Sequence, residues 1–345
     1  MDAREALAVV AAGKTLSRAE AEGAMGSIMA GEATPSQLGA LLAALHMRGE
    51  TPDEIAGFAS ALRANALRVV VDDGAIDVVG TGGDRSNSIN ISTISAIVVA
   101  GAGGHVAKHG NRAASSQCGS ADVLEALGVR IDLGPAGVAA CVREAGIGFM
   151  FAPRYHPAMR HAGPVRREIG IRTVFNILGP LANPAGVRRY LLGVPSAALG
   201  ETVARALVEL GVERALVVHG ADGLDGISPS AETRTWEVTG TTVREGTLEP
   251  EALGLESAPR ADIVGGDAGK NAAAARSVLD GTSGGARTAV LMNAGAACWV
   301  AGLADTVREG VDVASRAIDT GAARTALVRF AAKSQLIGAA ESAAV

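Results

Sequence analysis

The sequence predicts an α/β protein: a small N-terminal helical domain, then a larger α/β domain with a central, mostly parallel sheet flanked by helices. Three observations carry this expectation. Helix-capping signatures crowd the chain before Asn65. Short apolar strands alternate with helical stretches after Ile76. The 345 residues, 48% of them hydrophobic, exceed the ~100–200 residues typical of one domain.

The helical part reads from its caps. Ser17-x-x-Glu20 is a capping box, in which each side chain satisfies a backbone N–H of the other residue. Thr34-Pro35-x-Gln37 and Thr51-Pro52-Asp53-Glu54 repeat it with proline at the first helical position, where no donor is lost. Gly31 and Gly49 mark the preceding stops. Leu38, Leu41, Leu42, Leu45 and Met47 are expected to form one broad buried face. The close spacing of the caps points to short antiparallel helices, and residues 65–73 are the expected hinge.

Strands are expected at 76–79, 105–108, 147–151 and 215–219, with helices at 91–101 and 121–127 between them. Residues 236–238 and 242–245 read as a late antiparallel pair at a sheet edge. Residues 271–279, and the chain from Gly285 onward, read as mostly helical.

Composition removes several classes. The net charge is −5, against the basic face expected of a nucleic-acid binder. Cys118, Cys141 and Cys298 form an odd, sparse set without a C-x-x-C pair, which argues against a disulfide framework or zinc site and for the reducing cytoplasm. MDAREALAVV carries charges of both signs and does not read as a signal peptide. The longest apolar runs fall well short of the ~20 residues of a membrane span.

Four segments carry chemistry. Gly80-Thr81-Gly82-Gly83-Asp84 follows a strand, and Asn90-Ile91-Ser92-Thr93 then opens a helix. Glycines let backbone N–H groups approach phosphate oxygens, and a helix N-terminus favours anions. The bland alternative is a tight turn with an Asx cap. Neither the Gly-Lys-Ser/Thr of a P-loop nor the third glycine of G-x-G-x-x-G is present. Lys108-His109-Gly110-Asn111-Arg112 leads into Ala113-Ala114-Ser115-Ser116-Gln117-Cys118-Gly119-Ser120, a loop of cations, an amide and hydroxyls fit to fold over an anion; a solvated basic loop is the alternative. His156-Pro157-Ala158-Met159-Arg160 through Arg166-Arg167 would place Met159 and Arg166 on one face of a continuous helix, although Gly163-Pro164 argues for a break. His219-Gly220-Ala221-Asp222-Gly223-Leu224-Asp225-Gly226 offers two carboxylates, either as Mg²⁺ ligands or as caps of a glycine-rich turn.

Taken together, GTGGD with NIST, KHGNRAASSQCGSADVLEALG, HPAMRHAGPVRREIGIRTVFNILGPLANP and HGADGLDG closely resemble the anthranilate phosphoribosyltransferases, in order and spacing over nearly the whole chain. The resemblance implies transfer of 5-phosphoribose from 5-phosphoribosyl 1-diphosphate to the amine of anthranilate, in L-tryptophan biosynthesis. It implies a helical domain of residues 1–70, also receiving helices from about 157–187, and an α/β domain of 71–345.

By the same resemblance, Gly80, Gly83, Asp84, Ser88, Asn90, Ile91, Ser92 and Thr93 hold the phosphoribosyl diphosphate. Lys108, His109, Gly110, Asn111, Arg112, Ala113, Ala114, Ser115, Ser116 and Ser120 join them. Gly80, Asn111 and Arg166 meet anthranilate, and Ser92 and Asp225 ligate Mg²⁺. Lys108, Arg112 and Asp84 are the expected catalytic groups, and no general base is assigned. The family usually reads GLDE where this chain has Gly223-Leu224-Asp225-Gly226, so one Mg²⁺ site is expected and a second is in doubt. A homodimer through the N-terminal helices is implied, with no nucleic-acid or membrane partner. The alternatives are a pyrimidine nucleoside phosphorylase-like enzyme and a non-catalytic paralogue.

Overall fold

The computed structural model describes residues 1–84, 86–113 and 117–343. Four helices open the chain: α1 (Ala3–Ala11), α2 (Arg18–Met29), α3 (Pro35–Arg48) and α4 (Pro52–Ala64). Every one starts in a capping box, with Asp2, Ser17, Thr34 and Thr51 bonded to the third helical residue and bonded back by it. The Glu54 carboxylate of the last box is fully buried. It also accepts the Leu16 N–H at 2.9 Å and pairs with Arg48, so one capping side chain also closes the core of the bundle.

Leu38, Leu41, Leu42 and Leu45 of α3 are buried as expected, but Met47 is 86% exposed. Residue 47 lies about 200° around the helix from Leu45 at 100° per residue, which turns it away from the buried stripe.

Helices α2 and α4 pack tightly at Gly57. A Cβ there would collide with the Arg18 carbonyl and sit 2.8 Å from the Ala21 Cβ. Gly57→Ala is expected to cost about 1–3 kcal/mol through overpacking, read as a lower melting temperature. An unchanged melting curve would show that the bundle relaxes freely.

The larger part alternates β1 (Ile76–Gly80), α5 (Ile91–Gly101), β2 (Val106–Gly110), α6 (Ser120–Ala126), α7 (Pro135–Ala145), β3 (Ile147–Phe151), α8 (Ala152–Tyr155), α9 (Gly163–Ile169), α10 (Phe175–Leu181), β4 (Arg189–Gly193), α11 (Ala197–Glu209) and β5 (Arg214–Gly220). The hairpin β6 (Thr233–Thr239) and β7 (Thr242–Leu248) follows, then α12 (Ala268–Leu279), α13 (Gly285–Ala301), α14 (Val307–Asp319) and α15 (Ala322–Ala343). The sheet order is β3-β2-β1-β4-β5-β6-β7. Its first five strands are parallel, and β6 and β7 add antiparallel, so the late hairpin does form the edge.

Sequence reading did not find β4, a central strand, nor α7 and α11. β4 is five residues long, begins at an arginine and is buried by neighbours distant in the chain, so local pattern gives it little signature.

Chain order reverses between β1 and β4, and ligands of open α/β sheets bind at the strand ends beside such a switch point. There β1 and β4 end in the paired Gly80 and Gly193. A Cβ on Gly80 would strike the Asp225 carboxylate, and one on Gly193 the Asp225 carbonyl. The two glycines let the turn after β5 lie directly on the strand ends.

The 3-10 turn Pro157–His161 breaks the segment before α9, as Gly163-Pro164 argued. This turn, α9 and α10 pack on α2, α3 and α4 respectively. Arg63 of α4 bonds the Leu181 carbonyl at 2.7 Å and the Tyr190 hydroxyl at 3.2 Å. In the connection 65–73, the Leu67 N–H bonds the Tyr155 carbonyl and the Val69 N–H that of Pro184, so the chain passages between bundle and sheet run side by side.

Candidate active site

Two cavities meet at the carboxyl ends of β1 and β2. One, of about 550 Å³, is lined by the loop after β1, the start of α5, the end of β2 and the Asp225 turn. The other, of about 570 Å³, lies between β2, α9 and α10. Both share Val79, Gly80, Thr81, His109, Gly110, Asn111 and Asn176. A ligand in one can therefore touch a ligand in the other.

The first cavity gathers Gly80, Gly83, Asp84, Ser88, Asn90, Ile91, Ser92, Thr93, Lys108, His109, Gly110, Asn111, Arg112, Ala113, Ser120 and Asp225. Ala114, Ser115 and Ser116 lie outside the described residues. Gly82 and Gly83 both have positive φ, a conformation glycine adopts without Cβ strain. Helix α5 begins at Asn90 without a side-chain cap, which leaves its N-terminal field to an anion. The Asn90 side chain is committed elsewhere: its amide donates to the Cys118 carbonyl, and its oxygen accepts from Asn271 at 2.8 Å. Asn90 thus ties the mouth of α5 to the second loop and to α12.

Lys108 is 1% exposed. Its Nζ donates to the Val78 carbonyl, which holds the ammonium at the cleft floor. Burial pushes its pKa down to about 8, against the opposing pull of Asp77 and Asp225. Asp77, fully buried behind it, accepts from Asn183 at 2.8 Å, and burial raises its pKa to about 6.

Asp225 accepts the Gly82 N–H at 2.8 Å, and its own N–H donates to Asp84 at 3.3 Å. Burial, then the Asp84 charge, raises the Asp225 pKa to about 8. Two carboxylates held together in this way are hard oxygen donors, suited to a divalent cation such as Mg²⁺. Asn293 fixes the turn that carries Asp225, accepting from the Ile227 N–H at 3.0 Å and donating to the Ile227 carbonyl at 2.9 Å. Asp222 points away, accepting from Ser228 and Ser230, each at 2.9 Å. It does not replace a carboxylate at position 226.

Arg112 differs from expectation. Its guanidinium pairs with Asp122 and Glu125 and lies 5.6 Å from the Phe151 ring centre. Asp122 also accepts the Ala113 and Gly119 N–H groups. In this arrangement Arg112 braces its own loop, with its charge already matched.

The second cavity is apolar apart from a few groups. Met159, Phe175, Leu178 and Pro180 line it with Asn111 and Arg166. The Arg166 guanidinium stacks 5.0 Å from the Phe175 ring centre, and burial lowers its pKa. Among the described residues no carboxylate lies within 4 Å of it. A half-buried cation beside apolar walls has the chemistry to receive an aromatic carboxylate. His109 and His156 stand with ring centres 5.0 Å apart. Burial lowers their pKa values to about 3 and about 4, so both rings are neutral. The Gly179 carbonyl faces His109 Nδ1 at 3.1 Å, and because a carbonyl only accepts, that nitrogen bears the hydrogen.

Sequence reading did not single out Arg172, Asn176 and Asn293, all in the first cavity. Arg172 and Asn176 lie inside a stretch whose order matches the family, but nothing in the local spacing of the three residues indicates a cleft.

Comparison with known proteins extends this geometry. Residues 4–66 match the model of the glycosyl transferase family helical bundle domain, and residues 72–324 that of the family's a/b domain. The chain is 59% identical over 337 residues to the anthranilate phosphoribosyltransferase of Thermomicrobium roseum, covering 96% of this chain and 97% of that one. The crystal structure of the Thermus thermophilus anthranilate phosphoribosyltransferase superposes with a TM-score of 0.92 at 44% identity, over 97% of this chain and 100% of that one. The Saccharomyces cerevisiae protein in complex with PRPP and Mg gives 0.87 at 27% identity, over 96% and 98% of the two chains. The same yeast protein in complex with 4-fluoroanthranilate gives 0.86 at 26%, with the same coverage.

Proposed function

The chain belongs to the anthranilate phosphoribosyltransferases of the glycosyl transferase family, and from that premise we propose how its residues divide the work. It transfers the 5-phosphoribosyl group of 5-phosphoribosyl 1-diphosphate to the amine of anthranilate, forming N-(5-phosphoribosyl)anthranilate and diphosphate in L-tryptophan biosynthesis. One observation carries the assignment of roles. A cleft with a buried ammonium adjoins an apolar cavity with a guanidinium that pairs with no described carboxylate, and Gly80 and Asn111 are common to both.

In this reading the diphosphate lies over the Gly80–Asp84 turn and the start of α5, with Lys108 beneath it. Anthranilate lies in the second cavity, its carboxylate on Arg166 and its amine toward Gly80 and Asn111. The C1–O bond to diphosphate breaks as the N–C1 bond forms, and the nitrogen then sheds a proton. Positioning does most for a neutral aromatic amine, while preorganised donors stabilise the charge growing on the leaving group. The loop N–H groups and Lys108 are those donors, and Arg112 acts by bracing its loop.

Asp225, Asp84 and Ser92 would hold Mg²⁺ in the cleft. When bound, the ion neutralises diphosphate charge and aids its departure. Gly226 leaves this set without a further carboxylate. A Cβ at position 226 would meet Asn293 Oδ1 at 3.3 Å, with Leu224 next at 3.7 Å, so a side chain fits if Asn293 gives by a few tenths of an ångström. Gly226→Glu is expected to lower the Mg²⁺ concentration needed for half-maximal rate several-fold. A Mg²⁺ titration matching the parent chain would mean that the position plays no part in metal binding.

The bundle, with the segment 157–187, and the sheet domain are proposed to close on each other around the two ligands. A homodimer is proposed to form through the N-terminal helices, where α3 leaves Met47 exposed; sedimentation equilibrium tests it. No helix among the described residues is long and apolar enough to cross a membrane. Cys141 and Cys298, both buried and free, support a reducing, cytoplasmic setting.

Loss of anthranilate fluorescence, dependent on phosphoribosyl diphosphate and Mg²⁺, tests the function directly. Phosphorolysis of thymidine or uridine without anthranilate consumption would overturn it.

A further inference from the structure

We infer that Arg172, carried by the segment packed on the helical bundle, is a substrate-binding residue that grips the diphosphate of 5-phosphoribosyl 1-diphosphate across the mouth of the cleft. The inference rests on the reading of the first cavity as the phosphate site.

Arg172 lies in the short connection between α9 and α10, helices that pack on α3 and α4. Its side chain nevertheless reaches the glycine loop after β1. Its guanidinium covers Gly83 so closely that a Cβ there would overlap it. Its hydrogen bond, from Nη1 to the Gly82 carbonyl, is long at 3.4 Å. No carboxylate lies within 4 Å of it among the described residues. Asp225 feels its charge, which opposes the rise in the Asp225 pKa.

Among the described residues, the cleft's other cations already have protein partners. Arg112 faces Asp122 and Glu125, and Lys108 is buried against the Val78 carbonyl. An exposed arginine is most often just a solvated surface charge. Here the side chain lies in the cleft against a left-handed glycine, at the level of Asp84 and Asp225. A planar fork with spare N–H donors suits phosphate oxygens. Because its backbone belongs with the bundle and its target with the sheet, diphosphate bound between them links the two parts.

The test compares Arg172→Gln and Arg172→Lys with the parent chain. Calorimetric titration with inorganic diphosphate in the presence of Mg²⁺ is expected to show binding weakened about 10- to 100-fold by Arg172→Gln. Arg172→Lys should fall between, since it keeps the charge and loses the fork. The KM for phosphoribosyl diphosphate should rise with the anthranilate KM unchanged. Compaction on ligand binding, read by small-angle scattering, should shrink in Arg172→Gln. Diphosphate binding by Arg172→Gln equal to that of the parent would overturn the inference. If the parent chain itself bound no diphosphate and consumed no anthranilate, the reading of the cleft would fail instead.

Discussion

Lys108→Ala is expected to lower kcat/KM for phosphoribosyl diphosphate by about 10²- to 10³-fold, the effect of removing one oriented donor from a developing anion. The ammonium is buried on β2, fixed by the Val78 carbonyl and set between Asp77 and Asp225. It is therefore held at the cleft floor before substrate arrives, and little reorganisation is needed as charge builds on the leaving group. Removal also leaves Asp77 buried without its nearest cation, so a loss of stability should accompany the loss of rate; circular dichroism at the assay temperature separates the two.

The pH profile offers a second check. Burial favours the neutral amine, which places the Lys108 pKa near 8, below the usual 10.5. The group is an ammonium below that value and an amine above it. Because kcat/KM reports the free enzyme, the Lys108 contribution to it should fall as pH rises through about 8, the range in which Asp225 also ionises, so the comparison with Lys108→Arg isolates the Lys108 part. Lys108→Arg keeps a charged group over this range and should flatten that fall. A profile unchanged by Lys108→Arg would remove Lys108 from the anion-binding role.

Arg166→Ala is expected to raise the anthranilate KM about 30-fold or more, with the KM for phosphoribosyl diphosphate held. Truncating one partner of a desolvated, hydrogen-bonded charge pair costs ~2–5 kcal/mol, and the low end applies because Arg166 is only half-buried. The guanidinium is oriented by the Phe175 face and pairs with no carboxylate among the described residues. It therefore stands ready for the carboxylate of the ligand. Aniline, which lacks that carboxylate, supplies the control: parent and variant should use it equally poorly. An unchanged anthranilate KM would sink this role, whatever the aniline result.

Much of this site is legible in the chain read residue by residue. The glycine loop and the polar start of α5 are readable as an anion site because both act through backbone only a few residues apart. The Lys108 segment is readable because cations, an amide and hydroxyls concentrate in one stretch. The role of Arg166 rests on family resemblance, since its own segment is broken by the turn before Gly163. Arg112 looks like a free cation in sequence. Its neutralisation by Asp122 and Glu125 depends on how the loop folds back onto α6, which a count of charges does not reveal.

The sequence by itself determined the local structure: three of the four capped helices, the glycine turn, the alternation of strand and helix, and the identity of most residues in the cleft. These follow from forces acting within a turn or two of the chain, such as capping bonds, permitted φ values and hydrophobic period. Only the tertiary structure decided which distant groups meet. It inserted β4 between β1 and β5, set Asp225 against Asp84 141 residues away, and brought Arg172 over Gly83. Each of these depends on the order in which strands assemble. That order is set by burial summed over the whole sheet, and no short stretch of sequence contains the sum.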